Sequence, residues 1–251
     1  MKTVLITGCS SGFGLETAKY FLEREWNVVA TMRTPRPDVQ PPSENLRILP
    51  LDVTNAESVR SSIDSAGPID VLVNNAGIGL LNAVEGTPME MIRDIFETNT
   101  FGVMAMTRAV LPQFRERRSG VVVNVTSSVT LKALPLVSVY RASKAAINAF
   151  TESLALELAQ FNVRARVVLP GRSPETRFAE NGREAHRFII PEPYDTLAQS
   201  FMGQWAQSHE ALTQASDVAE AVWRAATDPS APMLIPAGAD SIEWAKAAAI
   251  S

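Results

Sequence analysis

Short apolar runs alternate with longer, helix-like stretches along most of this chain of 251 residues. Most of the runs are continuously apolar, which is typical of strands that are buried on both faces of a sheet. Strands that follow one another through helices run parallel, so this order predicts an α/β fold, a doubly wound parallel sheet with helices on both faces. The expected strands are residues 3–6, 28–30, 46–51, 70–73, 121–125, 163–169 and 233–235.

The segment from residue 172 to about residue 213 departs from this alternation. Its pattern is irregular or short-helical, with many polar residues and scattered aromatic side chains such as Phe178. Long loops inside a domain are often lids, so we expect this segment to cover a substrate. Its apolar side chains could bind an apolar substrate or could equally pack the lid onto its own domain. No linker interrupts the alternation, and residues 1–251 are therefore predicted to form a single domain.

Composition and charge exclude several classes of protein. The net charge of −4 does not suggest a nucleic-acid-binding protein. A single cysteine rules out an internal disulfide, and His186 and His209 lie without carboxylates at ligand spacing, so no metal site is expected. No run approaches the roughly 18 apolar residues of a membrane span, and the N-terminus lacks the apolar stretch of a signal peptide. We therefore expect a cytoplasmic protein.

A glycine-rich turn, TGCSSGFG at residues 7–14, joins the first expected strand to the first expected helix. Glycines let the backbone turn tightly and approach a pyrophosphate, while the N-terminus of the helix offers free N–H groups and a positive dipole. The turn predicts a dinucleotide site, although a glycine motif by itself leaves open a tight turn without a ligand. The predicted cofactor contacts in the turn are Gly8, Ser10, Ser11, Gly12, Phe13 and Gly14.

The G-x3-G-x-G spacing of this turn resembles that of the short-chain dehydrogenase/reductase family. More of that family's motifs follow in its order: NNAG at 74–77, Asn99, VNVTS at 123–127, YRASK at 140–144 and PG at 170–171. The resemblance covers about residues 3–175 and implies a Rossmann-like fold, a nicotinamide cofactor and hydride transfer between a carbonyl and an alcohol. The pattern is most similar to the branch of 17β-hydroxysteroid and retinol dehydrogenases, which implies a fairly apolar substrate. A homodimer is one assembly that the resemblance allows.

Tyr140 and Lys144 are four residues apart on an expected helix, so they share one face. A tyrosine with a pKa of about 10 is a poor acid at neutral pH. A nearby ammonium group and a positively charged nicotinamide would stabilise the phenolate and lower that pKa. Proton transfer to a carbonyl oxygen then becomes feasible. The resemblance implies that Tyr140 is the acid/base and that Lys144 tunes it and binds the cofactor ribose.

Two further residues would complete the family's catalytic tetrad. In the family the active serine usually precedes the tyrosine by thirteen residues, which selects Ser127 and leaves Ser128 as the alternative. Its hydroxyl would hold the substrate oxygen. Asn99 is expected to mark a helix distortion and to join Lys144 through a water molecule, forming a proton route. The predicted substrate contacts are Ser127, Tyr140 and Phe178.

The residues after the second expected strand favour NADP(H), with NAD(H) remaining open. No Asp or Glu lies between residues 27 and 37, whereas Arg33 follows the strand and could form two hydrogen bonds with a 2′-phosphate. Arg36 and Ser11 could assist it. The remaining predicted cofactor contacts are Asp52 and Val53 at the adenine, Asn75, Ala76 and Gly77 at the adenosine ribose, and Pro170 and Gly171 after the sixth strand.

The chain departs from the family pattern just after the sixth strand. Its sequence PGRSPET at 170–176 is one residue longer than the family's Pro-Gly-x-x-x-Thr. This puts in doubt the contact between Thr176 and the nicotinamide amide, for which Ser173 could substitute.

The alternative function is a dinucleotide-binding sensor without turnover. Such proteins usually lose the tyrosine or the lysine, and this chain keeps both Tyr140 and Lys144.

Overall fold

A computed structural model describes residues 1–36, 38, 42–173, 190–207 and 212–249. The strands of this part of the chain are β1 (Thr3–Thr7), β2 (Asn27–Met32), β3 (Leu46–Pro50), β4 (Val71–Asn74), β5 (Gly120–Val125), β6 (Val163–Pro170) and β7 (Leu234–Ala237). They form one parallel sheet in the order β3-β2-β1-β4-β5-β6-β7. The order reverses between β1 and β4, which is the switch point where doubly wound sheets bind their ligands.

The helices between and after these strands confirm the predicted fold class. They are α1 (Gly12–Leu22), α2 (Ala56–Ala66), α3 (Met89–Phe96), α4 (Gly102–Arg117), α5 (Ser138–Ala159), α6 (Asp195–Gln207), α7 (Ala215–Thr227) and α8 (Ala239–Ala248). A π-helical turn, Glu97–Phe101, joins α3 to α4. Within the described ranges, no helix has both the length and the apolar content that crossing a membrane requires.

Both faces of the sheet are buried, which explains the continuous apolar runs in the sequence. Alternate strand residues face two separate cores. On one face, Val4 and Ile6 of β1 pack with α1 and α7. On the other face, Leu5 of β1 packs with residues of α2, α4 and α5. The sheet is therefore a rigid platform, and its carboxyl edge carries the loops with the predicted site residues.

Residues 190–207, the longest described part of the 172–213 segment, are more regular than their sequence suggests. They contain the thirteen-residue helix α6, preceded by a short 3-10 turn, Glu192–Tyr194. Phe201 and Ala198 of α6 pack against Ala83 and Leu136, which belong to the loops after β4 and β5. Tertiary packing thus stabilises a helix that local pattern alone left undecided.

Candidate active site

The glycine turn between β1 and α1 is fastened to the end of β4. The Thr7 hydroxyl accepts hydrogen bonds from the backbone N–H groups of Asn75 and Ala76, at 3.0 and 2.9 Å. The Asn75 side-chain amide donates to the carbonyl oxygens of Thr7 and Gly8, at 2.9 and 3.3 Å. Sequence reasoning missed Thr7 as a site residue. Its position between the first strand and the first glycine of the turn could have indicated it. Asn75 thereby has a structural reason to be present as well as a predicted cofactor contact.

Two glycines of the turn are required by close backbone approach. A Cβ atom on Gly14 would lie 2.4 Å from the Gly8 carbonyl oxygen and 2.5 Å from Asn75 Nδ2. Gly8 itself has φ of +76°, and a Cβ atom there would lie 2.9 Å from Ala76 Cα. The turn therefore presents bare backbone at the switch point, beside the N-terminus of α1.

The N-terminus of α1 suits an anion. Ser11 is its N-cap residue, and the first turn of the helix, which the structure describes in full, contains no acidic residue. The positive end of the helix dipole is therefore not opposed by a carboxylate within the first turn of the helix. The Phe13 ring packs against the core on the α1 side of the sheet. A cofactor contact from Phe13 would therefore be made by its backbone.

Two arginines and a carboxylate lie at the ends of β2 and β3, and one of the arginines contacts the glycine turn. The exposed Arg36 guanidinium donates to the Ser10 carbonyl oxygen at 2.8 Å. The pKa of Asp52 is held below its ordinary value, chiefly by the hydrogen bond from the Thr54 hydroxyl and also by the positive charge of Arg33. The structure therefore brings Arg33, Arg36 and Asp52 to the same end of the predicted site.

Val53 is placed differently from its neighbour Asp52. Its side chain packs against α4, where a Cβ atom on Gly102 would lie 2.7 Å from Val53 Cγ2. The side chain thus serves the core between β3 and α4. An adenine contact from Val53 would be made by its backbone.

Tyr140 and Lys144 lie one turn apart on α5 and are both buried, with 8% and 4% of their surface exposed. The Lys144 ammonium donates to the Val125 carbonyl oxygen at the end of β5, at 3.1 Å. The Tyr140 ring packs among apolar side chains that include Leu80 and Ile95. The predicted pair is therefore assembled at the carboxyl edge of the sheet, between the ends of β4 and β5.

Burial changes the acidity of both groups. It raises the pKa of Tyr140, an effect that the hydrogen bond with Ser127 offsets in part. It also lowers the pKa of Lys144 to about 8, because the charged ammonium loses solvation. In the protein alone, the Tyr140 pKa therefore moves opposite to the direction that the sequence led us to expect. Desolvation is the largest cause of this shift.

Ser127 is the serine that meets Tyr140. It is the N-cap residue of a 3-10 turn, Ser128–Thr130, and its Oγ accepts a hydrogen bond from the Val129 N–H at 3.3 Å. Its hydroxyl is hydrogen-bonded to that of Tyr140. Ser128, the alternative, is 1% exposed. The thirteen-residue spacing thus selects the serine whose hydroxyl reaches the tyrosine.

Asn99 lies inside the π-helical turn, so the helix distortion expected there is present. Its Oδ1 accepts from the Ile78 N–H at 2.8 Å, and its Nδ2 donates to the Ile78 carbonyl oxygen at 2.9 Å. A Cβ atom on Gly77 would lie 3.2 Å from both Asn99 Oδ1 and Lys144 Nζ. Gly77 thus lies between the two predicted relay residues, and its small size lets them approach.

Ser143 is a residue of this site that sequence reasoning missed. Its Oγ donates to the Tyr140 carbonyl oxygen at 2.7 Å and accepts from Asn99 Nδ2 at 3.2 Å. Its own carbonyl oxygen accepts from the Thr100 hydroxyl at 3.0 Å. These bonds attach the π-helical turn to the first turn of α5. The available signal was its place within the YRASK motif, immediately before Lys144.

The predicted residues at the end of β6 are only partly described. Pro170 ends the strand, and the Gly171 N–H donates to the Ala237 carbonyl oxygen at 3.2 Å and to Thr213 Oγ1 at 3.1 Å. Ser173, the suggested substitute for Thr176, is half-buried at the end of this described range. Predictions that fall outside the described residues are those for Thr176, Phe178, His186 and His209.

A cavity of about 260 Å³ lies near the start of α5. Its walls come from the loop after β4 (residues 82–84), from Pro135, Leu136 and Ser138 before and at the start of α5, and from Tyr194 and Leu197 at α6. Ser138 is two residues from Tyr140 on the same helix. The described part of the 172–213 segment therefore forms one wall of a mostly apolar cavity at the N-terminal end of α5, the helix that carries Tyr140.

Much of this chain is similar in sequence to known proteins. Residues 2–186 match the family model described as short chain dehydrogenase. Retinol dehydrogenase 8 from Bos taurus is 40% identical over 182 residues, which are 68% of this chain and 58% of that protein. The chain thus spans less than two thirds of the length of this relative.

Solved structures match over nearly the whole chain. A short-chain dehydrogenase from Streptomyces avermitilis is 31% identical, with a TM-score of 0.82 over 98% of this chain and 91% of that one. A serine dehydrogenase complexed with NADP+ is 29% identical, with a TM-score of 0.78 over 94% of each chain. A 3-ketoacyl-(acyl-carrier-protein) reductase from Brucella melitensis complexed with NADH is 25% identical, with a TM-score of 0.79 over 96% and 98%. Proteins of similar structure thus bind either nicotinamide cofactor.

Proposed function

Since the chain belongs to the short-chain dehydrogenase family, we propose that it is an NADP(H)-dependent oxidoreductase that interconverts a carbonyl and an alcohol on a fairly apolar substrate. The observation that carries the proposal is the buried Tyr140 hydroxyl, hydrogen-bonded to Ser127 and one helical turn from Lys144. This combination suits proton transfer to a carbonyl oxygen rather than cofactor binding alone, which argues against the sensor alternative.

The residues of the site fit a nicotinamide dinucleotide. The side-chain-free surface of Gly8 and Gly14 beside the N-terminus of α1 would hold the pyrophosphate. Lys144 would hydrogen-bond the ribose next to the nicotinamide. Asp52 would accept from the adenine amino group. When bound, the cofactor supplies the hydride in reduction and accepts it in oxidation.

In the direction of reduction, the carbonyl carbon gains a hydride and its oxygen gains a proton. Tyr140 would donate that proton, and the Ser127 hydroxyl would hold the same oxygen by a hydrogen bond. The Lys144 ammonium would stabilise the phenolate that Tyr140 becomes. Asn99 would keep the end of the relay in place through its two bonds to Ile78.

The cofactor preference is expected to depend on Arg33 and Arg36. In the unmodified protein, kcat/KM should be higher with NADPH than with NADH. Alanine at either position should reduce kcat/KM for NADPH by about tenfold or more, because a charge-assisted hydrogen bond to the 2′-phosphate is lost. The value for NADH should change little.

Parallel titrations with NADPH and NADH measure this preference. Arg60→Ala is the matched control, since Arg60 is an exposed arginine on α2 that pairs with Glu57. A lower KM for NADH than for NADPH in the unmodified protein would overturn the preference. So would an equal loss with both cofactors in the Arg33 variant.

The rate of reduction is expected to fall as the pH rises through about 8. Burial lowers the Lys144 pKa to about 8, so its ammonium is charged below that pH and neutral above it. Loss of this charge removes stabilisation of the Tyr140 phenolate. A profile of kcat/KM from pH 6 to pH 10 should therefore be level on the acid side and decline on the basic side. A profile that stays level to pH 10 would contradict this contribution of Lys144.

The substrate class is testable by NADPH depletion against a panel of ketosteroids, retinoid aldehydes, acyl ketones and aromatic ketones. The apolar walls of the cavity at Leu136 and Leu197 support apolar substrates. Depletion should be faster with apolar members than with short polar ketones. If none is turned over while NADPH binds, the sensor alternative is favoured instead.

A further inference from the structure

Asp240 is a buried carboxylate outside the proposed catalytic tetrad. It lies in the first turn of α8 and is 1% exposed. Its Oδ1 accepts from the Thr213 hydroxyl and its Oδ2 from the Arg172 N–H, both at 2.6 Å. Burying a carboxylate is unfavourable unless it is well hydrogen-bonded, so these two bonds stabilise Asp240 in this place.

Thr213 joins the two ends of the 172–213 segment. Its Oγ1 accepts from the Gly171 N–H at 3.1 Å, and its own N–H donates to the Arg172 carbonyl oxygen at 2.8 Å. The residue that ends the segment is therefore bonded to the residues that begin it. Asp240 bonds to both ends at once.

Two glycines leave room for this arrangement. A Cβ atom on Gly171 would lie 2.0 Å from Asp240 Oδ1. A Cβ atom on Gly238, whose φ is +91°, would lie 2.0 Å from Thr213 Oγ1. The Asp240 carboxylate and the Thr213 side chain thus occupy space that any other residue at 171 or 238 would fill. Gly171 consequently has a packing function apart from its predicted contact with the cofactor.

We propose that Asp240 and Thr213 are positioning residues, which together form a clasp that holds both ends of the 172–213 segment at the carboxyl end of β6. Gly171 and Arg172 directly follow β6 at the edge that carries the glycine turn and Tyr140. A clasp at this place sets where the segment begins and ends relative to cofactor and substrate. This function of the clasp rests on the proposed oxidoreductase activity, whereas the clasp itself does not.

Thr213→Val tests the clasp because it keeps the side-chain shape and removes the hydroxyl, while Thr213→Ser retains the hydroxyl. Ser241→Ala is the matched control. Ser241 also lies in α8 and is buried, and its hydroxyl donates to the Leu169 carbonyl oxygen at 2.6 Å, with no bond to the ends of the segment in the described structure. Asp240→Asn, which keeps the shape but replaces one acceptor, is the second variant should Thr213→Val not fold.

The first readout is hydrogen exchange of the Gly171, Arg172 and Thr213 amides in the protein without cofactor. Exchange should accelerate by about tenfold or more in Thr213→Val, because the variant loses both the hydrogen bond that the Thr213 hydroxyl donates to Asp240 and the one that it accepts from the Gly171 N–H. It should stay near the unmodified rate in Thr213→Ser and Ser241→Ala. Equal acceleration in Ser241→Ala, or none in Thr213→Val and Asp240→Asn, would overturn the clasp.

The second readout separates positioning from general loss of stability. In Thr213→Val, the KM values for NADPH and for a carbonyl substrate should rise about tenfold, while kcat changes less. The lost hydrogen bonds position the segment and do not touch the reacting atoms. Thr213→Ser should restore both KM values. A fall in kcat alone would overturn the positioning function. If the unmodified protein reduces no carbonyl, the exchange experiment still decides on the clasp.

Discussion

Replacing Tyr140 by phenylalanine is expected to lower the rate of carbonyl reduction by about 10²- to 10⁴-fold, the usual contribution of a positioned general acid. The variant keeps the ring, which packs with Leu80 and Ile95. It removes only the hydroxyl that bonds to Ser127 and would donate the proton. Binding of NADPH should therefore remain near its unmodified strength.

Steady-state turnover and a fluorescence titration with NADPH measure the two effects separately. Tyr20→Phe is the matched control, because Tyr20 lies on α1 with its ring 3.4 Å from the Arg24 guanidinium, away from the proposed site. The control should retain turnover. Retained turnover in Tyr140→Phe would show that another group donates the proton. Loss of both turnover and NADPH binding would show that the substitution disturbs the site as a whole.

Replacing Gly14 by alanine is expected to weaken NADPH binding by about tenfold to a hundredfold, since forcing an extra methyl group into a closed site typically costs about 1–3 kcal/mol. The added Cβ would lie 2.4 Å from the Gly8 carbonyl oxygen and 2.5 Å from Asn75 Nδ2. Both contacts belong to the bonds that fasten the glycine turn to β4. The turn would therefore have to move, and with it the surface proposed for the pyrophosphate.

Gly203→Ala is the matched control for this substitution. Gly203 also lies within a helix, α6, and a Cβ atom there would have no neighbour within 4 Å among the described residues. This variant should bind NADPH normally and gain up to about 1 kcal/mol of stability from the higher helix propensity of alanine. NADPH titration and thermal unfolding test both variants. Equal affinities in the two would refute the close-approach argument.

The proposed catalytic residues could be found from sequence because their geometry is local. Tyr140 and Lys144 share a helix face through a spacing of four residues, and the helix observed at Ser138–Ala159 places them together. The glycine turn likewise depends on neighbours in sequence. For Asn99, the motif indicated a distortion of the helix. The hydrogen bonds of its side chain with Ile78 and Ser143 became known only from the fold.

The direction in which the Tyr140 pKa is shifted could not be predicted from the sequence. The sequence contains the neighbouring ammonium of Lys144, which lowers a tyrosine pKa. It does not contain the degree of burial, which here raises that pKa. Desolvation depends on all the elements packed around a group, so it is known only when the fold is known.

The class of fold and the order of the motifs could be predicted from local sequence, because strand–helix alternation and short spacings are properties of neighbouring residues. Contacts between distant residues became known only from the folded chain. The clasp joins Thr213 to Asp240, 27 residues apart. Thr213 also bonds to Gly171 and Arg172, and Asp240 bonds to Arg172. No spacing rule predicts such contacts, because they arise where the ends of β6 and β7 lie side by side in the sheet.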